Sequence, residues 1–233
     1  MITREILEHA ARHYDGDKYS EKFYTYNLDL LQEVQDISEL VGTAVRHLLL
    51  WKLGKVRSNR TPKSFQLAIP DSIGKYYSPR TTKTHYEVIE KATKKEMLKA
   101  AISFRDGILG YHDFKPYAAK LTSSTIVLPA FYVHIWRPFE YPILDEKVWK
   151  VFCHEKGRSV ARYTKPRSWS DYETYKNFFT GIVNSTTLDW RTVDKGLWVL
   201  GDLLKTRRQT LRTPNRLHHG DRQFKMTKEV WTL

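Results

Sequence analysis

Cysteine is almost absent: among 233 residues only Cys153 is present. One thiol cannot close an internal disulfide, which suits a reducing compartment. It also excludes zinc or iron–sulfur sites built on several cysteines. Behind Val151 and Phe152, Cys153 reads as buried filler. No run approaches the roughly 18 uncharged apolar residues needed to cross a bilayer. Met1-Ile2-Thr3-Arg4-Glu5 lacks the basic-then-apolar order of a secretion signal. A cytoplasmic protein with no membrane partner is therefore expected. Missing too are a Gly-rich phosphate loop, a Gly-x-Ser-x-Gly elbow and a His-Glu-x-x-His helix. His218-His219 lacks a partner at ligand spacing, and Asp15 and Asp17 lack the later ligands of a calcium loop. No metal is expected.

Acidic residues are the minority charge. Against 39 Lys+Arg stand 26 Asp+Glu, a formal net charge of +13 spread along the chain. Such an excess is most useful beside a polyanion, and neutralising phosphates releases counterions, so nucleic acid is the expected partner. With 41% hydrophobic and 13% aromatic residues the chain can fill a core.

Helical periodicity dominates what is there. Asp36 and Glu39 have the spacing of a capping box, followed by Ile37, Leu40, Val41, Ala44, Val45, Leu48 and Leu49 on one face, with Gly54 as a stop. Residues 81–105 read as one helix, basic on its exposed side. Residues 125–137 are strongly apolar and stop at Arg137-Pro138. A short helix is expected over about 144–154. A second capping box, Ser170 with Glu173, opens a helix to about Val183, and a last helix runs from about Asp189 to Leu204. Asp194 is read there as an internal salt-bridge partner. Strand signal is weak, residues 65–69 being the best candidate, and 55–80 and 156–168 read as loops. The expected class is all-α: a two-lobed helical domain over 1–205 with a cleft between the lobes, then a basic tail over 206–233.

The segment 121–152, LTSSTIVLPAFYVHIWRPFEYPILDEKVWKVF, carries the chemistry. A tight polar turn leads into an apolar helix that breaks at Arg137-Pro138. A loop holding Pro142 then delivers Asp145 to the next helix. This order resembles the core of the helix-hairpin-helix DNA glycosylases, the superfamily of endonuclease III, MutY and the 8-oxoguanine glycosylases. Set on that pattern without a gap, Leu121 takes the hairpin leucine, and Thr122, Ser123, Ser124 and Thr125 take the Pro-Gly-Val-Gly positions. Asp145 falls on the catalytic aspartate, 24 positions after Leu121. Both hairpin glycines are replaced, by Ser123 and Thr125. The position of the Schiff-base lysine in bifunctional members is Val127, so no lyase step is implied.

The resemblance implies a monofunctional glycosylase that hydrolyses the N-glycosidic bond of a flipped base in double-stranded DNA, with no cofactor, as a monomer. The base would be damaged, mispaired or modified, a hypermodified phage base in antiviral defence among them. A fixed carboxylate suits this chemistry because positive charge develops on the deoxyribose as the bond breaks. Basic neighbours such as Lys147 and Lys150 would complement it. Aspartate is equally a good helix N-cap, so capping alone is the plain alternative for Asp145. Base capture needs aromatic walls. Tyr141, Trp149, Trp51 and Tyr132 are the candidates, each also a natural core residue. For phosphate contacts the candidates are Lys120, Lys115, Thr122, Ser123, Ser124, Thr125, Lys147 and Arg57, the last within a basic run from Lys52 to Lys63. The degenerate hairpin keeps a second function open, a non-catalytic nucleic-acid-binding module of the same fold.

Overall fold

A computed structural model describes residues 2–14, 20–53, 83–121, 125–157 and 165–212; the side chains at 83–86 and 205–212 are not among them. Every regular element among the described residues is a helix, as the periodicity predicts. They are α1 (Arg4–Ala11), α2 (Glu21–Glu33), α3 (Glu39–Lys52), α4 (Lys83–Ala92), α5 (Lys95–Arg105), α6 (Tyr111–Ala119), α7 (Val127–Trp136), α8 (Glu146–Glu155), α9 (Trp169–Thr186) and α10 (Trp190–Arg212). The strand candidate at 65–69 lies outside the described residues, as does most of the predicted loop 156–168. No described helix is long and apolar enough to cross a membrane. The chain forms two compact units: a continuous one, Asp15–Tyr141, and a discontinuous one made of Met1–Tyr14 with Pro142–Leu233. α10 continues through Arg212, so the stretch expected as tail from residue 206 begins as helix.

The continuous unit is built around α7. Every residue from Leu128 to Trp136 is buried, and a helix apolar on all sides has no solvent face to offer. α2, α3, α5 and α6 pack against it. Phe104 stacks on Phe114 at 4.4 Å between ring centres, and Phe114 on Tyr132 at 5.8 Å. Several polar groups inside are matched. The Tyr141 carbonyl can only accept, so His134 donates to it from Nδ1 (2.6 Å). His134 Nε2 is then left to accept from the Tyr24 hydroxyl at 2.5 Å. Asn27 donates to the Phe23 carbonyl (2.8 Å) and accepts from His47 Nδ1 (2.9 Å).

Two expectations are corrected in this unit. The single helix over 81–105 is two, because the chain turns at Thr93-Lys94, where Lys94 is extended. The hydroxyl of Thr93 donates to the Ile89 carbonyl, and that of Tyr132 reaches the Ala92 and Met97 carbonyls at 3.1 and 3.3 Å. The Tyr132 bonds tie both sides of the turn, the end of α4 and the start of α5, to α7. The cap of α3 is Ser38 and not Asp36; its hydroxyl accepts from Val41 N. Sequence reading also passed over α1, α2 and α6, the last because Pro116 lies inside it.

In the discontinuous unit α10 packs against α1, α8 and α9. Two glycines allow the approach. A Cβ on Gly196 would stand 2.8 Å from the Leu7 carbonyl oxygen of α1, and one on Gly201 2.3 Å from that of Lys147 in α8. α9 starts two residues earlier than predicted: Ser168 and Asp171 form the capping box, and both of its bonds are present (3.1 and 3.0 Å). Ser170, the predicted cap, lies in the first turn, where its carbonyl accepts from the Thr174 hydroxyl.

Candidate active site at the amino end of α8

The stretch leading to Asp145 is held by its backbone. Pro142 enters it, and Ile143 and Leu144 are buried. The carbonyls of Pro142 and Ile143 accept hydrogen bonds from the hydroxyls of Tyr172 (3.1 Å) and Tyr175 (3.2 Å), two fully buried side chains spaced to share one face of α9. Asp145 follows in extended conformation and caps α8. Its Oδ1 accepts from the backbone N–H of Lys147 (2.7 Å) and of Val148 (3.0 Å). Asp145 is half-buried, so its carboxylate stands at the edge of the packed region.

Charged and aromatic side chains of α8 and α10, with Tyr14 from beyond the end of α1, lie near this helix start. Lys147 places its Nζ 2.9 Å from Asp202 Oδ1 and 3.1 Å from the centre of the Trp198 ring. Trp198 meets Tyr14 edge-on at 5.3 Å. Arg191 pairs with Asp194, as expected for that aspartate, and also lies 5.3 Å from the Tyr14 ring centre. Burial pushes the Tyr175 phenol well above its ordinary pKa, with the negative charges of Asp194 and then Asp145 adding to the effect. Both carboxylates therefore lie within electrostatic reach of one buried hydroxyl. Tyr175 stays protonated and acts as a donor, not a base.

The remaining sequence candidates divide between the two units. Trp149 belongs with Asp145 and Lys147 in the discontinuous unit, where it is buried against Phe152 (4.9 Å) and its indole N–H has no hydrogen-bond partner among the described residues. Tyr141, Trp51 and Tyr132 belong to the continuous unit. Trp51 packs between Tyr24 (4.7 Å) and Phe131 (6.0 Å). Tyr132 is 0% exposed, with its hydroxyl on backbone carbonyls. Tyr141 stacks on Tyr111 at 5.0 Å, and burial followed by the Glu140 charge raises its phenol. All four residues are buried in the packing of their own units. Phe139, near them in sequence, is instead 73% exposed.

Of the phosphate-contact candidates, Lys120 is exposed at the end of α6 over the Tyr117 ring (4.9 Å), and Lys115 lies over Tyr111 (5.8 Å). Thr125 is half-buried just before α7. The Lys147 ammonium, expected to meet phosphate, lies against Asp202 and Trp198. Thr122, Ser123, Ser124 and Arg57 lie outside the described residues. Among the described residues no group of three or more His, Cys, Asp or Glu side chains is placed to hold a metal ion. No protein-family model, curated protein or solved structure matches the chain.

Sequence reading missed Tyr172, Tyr175, Asp202 and Trp198 as neighbours of this site. Tyr172 and Tyr175 carry a faint signal, since aromatic hydroxyls three apart on an apolar helix need buried acceptors. Asp202 has none, because its partner is 55 positions away in the chain.

Proposed function

We propose that the protein is a monofunctional DNA glycosylase in which the carboxylate of Asp145 serves the hydrolysis of an N-glycosidic bond. The observation that carries the proposal is the placement of Asp145: a half-buried residue whose carboxylate is fixed by two backbone N–H bonds on one oxygen, at the end of a stretch secured by two buried tyrosines. A carboxylate so held needs little reorganisation when positive charge develops on a sugar. In the step itself the oxygen of water bonds to C1′ as the C1′–N bond breaks. The bond's electron pair leaves with the base, which takes up a proton, while the attacking water loses one. Asp145 faces the cationic sugar and orients or deprotonates that water. The residues of the chain suffice for this step. Double-stranded DNA is the substrate, in keeping with the +13 charge.

The capping bonds also favour a second reading, in which Asp145 is only an N-cap and the protein binds nucleic acid without cutting it. One experiment separates the two. Duplexes bearing a panel of modified bases are incubated with the wild type and with Asp145→Asn, and abasic sites are then cleaved with alkali. The expected result is cleavage of at least one duplex, lowered about 100-fold or more in the variant. Undiminished cleavage by Asp145→Asn would remove the catalytic role, and salt-sensitive binding without cleavage of any duplex would favour the binding module.

A further inference from the structure

The Lys147 side chain is spent inside the protein, and its attachment bears on Asp145. Lys147 supplies the shorter of the two capping bonds, N–H to Oδ1 at 2.7 Å. The same residue is held at three points by α10. Its backbone lies against Gly201, where a Cβ would come within 2.3 Å of the Lys147 carbonyl oxygen. Its ammonium is 2.9 Å from Asp202 Oδ1 and 3.1 Å from the centre of the Trp198 ring. The Lys147 side chain is 20% exposed and that of Asp202 34%, so solvent screens the pair in part.

We infer that Lys147, Asp202 and Trp198 form a clamp that positions the Asp145 carboxylate, with Lys147 and Asp202 as positioning residues for the hydrolysis. This rests on the catalytic role proposed for Asp145. Tethering the ammonium to α10 fixes the first turn of α8. The Lys147 N–H on that turn fixes the rotation of the Asp145 carboxylate, and a small misplacement of a reacting group lowers rate more than affinity.

The test uses the full chain with Asp202→Asn and Lys147→Met, which remove one charge each and keep the side-chain stem, and Lys147→Arg, which restores the cation. The first measurement is amide hydrogen exchange at Lys147 and Val148, which needs no substrate. Both charge-removing variants are expected to speed exchange there about fivefold, with the later turns of α8 unchanged, and Lys147→Arg to recover most of the protection. The second is turnover on whichever duplex the wild type cleaves: kcat falls about tenfold with KM unchanged, and recovers in Lys147→Arg. Unchanged exchange at both amides in both variants overturns the clamp, and so does faster exchange with an unchanged kcat. A wild type inactive on every duplex overturns the catalytic reading instead, and the exchange data alone then decide whether the clamp orders the cap.

Discussion

His47 shows how far one side chain can feel its surroundings. It is 7% exposed in the continuous unit, and loss of solvent, with the Arg46 charge second, lowers its pKa to about 4. The folded protein therefore holds the ring neutral, with Nδ1 donating to Asn27, where an unfolded chain would titrate near 6.5. A depressed folded pKa means that the stabilisation is complete above pH 6.5 and is lost progressively as pH falls toward 4. The size is up to about 3 kcal/mol. Urea midpoints at pH 7 and pH 4.5 should fall accordingly, and His47→Gln should flatten that dependence. An unaltered slope in the variant would place the acid sensitivity elsewhere. At this scale Asp145 was legible in sequence because its capping bonds span only two and three residues. The tyrosine bonds behind it span 30 and 32, and no local pattern encodes such a meeting.

Helices existed where periodicity put them, but their ends moved. Ser38 replaced Asp36 as a cap, and Ser168 with Asp171 replaced Ser170 with Glu173. A capping box is a short motif, and two overlapping copies cannot be ranked without knowing which turn the neighbouring elements hold. The break at Thr93-Lys94 was hidden for a related reason, since the Tyr132 hydroxyl that reaches Ala92 arrives from 40 residues away. Helix packing in the discontinuous unit makes its own prediction. Gly196→Ala would push a methyl into the Leu7 backbone of α1 and should lower stability by about 1–3 kcal/mol. Gly42→Ala in α3, with its nearest neighbour at 4.0 Å, should raise it by about 0.5–1 kcal/mol through helix propensity. Thermal denaturation of the two variants reads opposite shifts; equal shifts would refute the packing argument.

Across the whole chain, net charge is the most informative bulk property. An excess of +13 predicts duplex binding that weakens steeply with salt, because each neutralised phosphate releases counterions. Lys120, exposed at the end of α6, is a described residue suited to such a contact. Lys120→Ala should reduce the slope of log affinity against log salt by about one, with little change between sequences. An unchanged slope would place the phosphate contacts elsewhere. All-helical class and basic character were readable at this scale, since both are sums over many residues. The division at Tyr141-Pro142 was not, because it depends on α1 joining residues beyond 142.

That joining sets an order of assembly during synthesis. α1 leaves the ribosome before the continuous unit does, yet α10, the helix it packs against, is made almost 180 residues later. The continuous unit has its whole sequence available once Tyr141 has emerged, well before α10 exists. Domains generally fold as units while the chain is still being made. The early helix must wait through that interval with the apolar face bearing Leu7 and Ala10 uncovered. For a nascent chain, the interval between Tyr141 and α10 is the period in which a chaperone has most to shield.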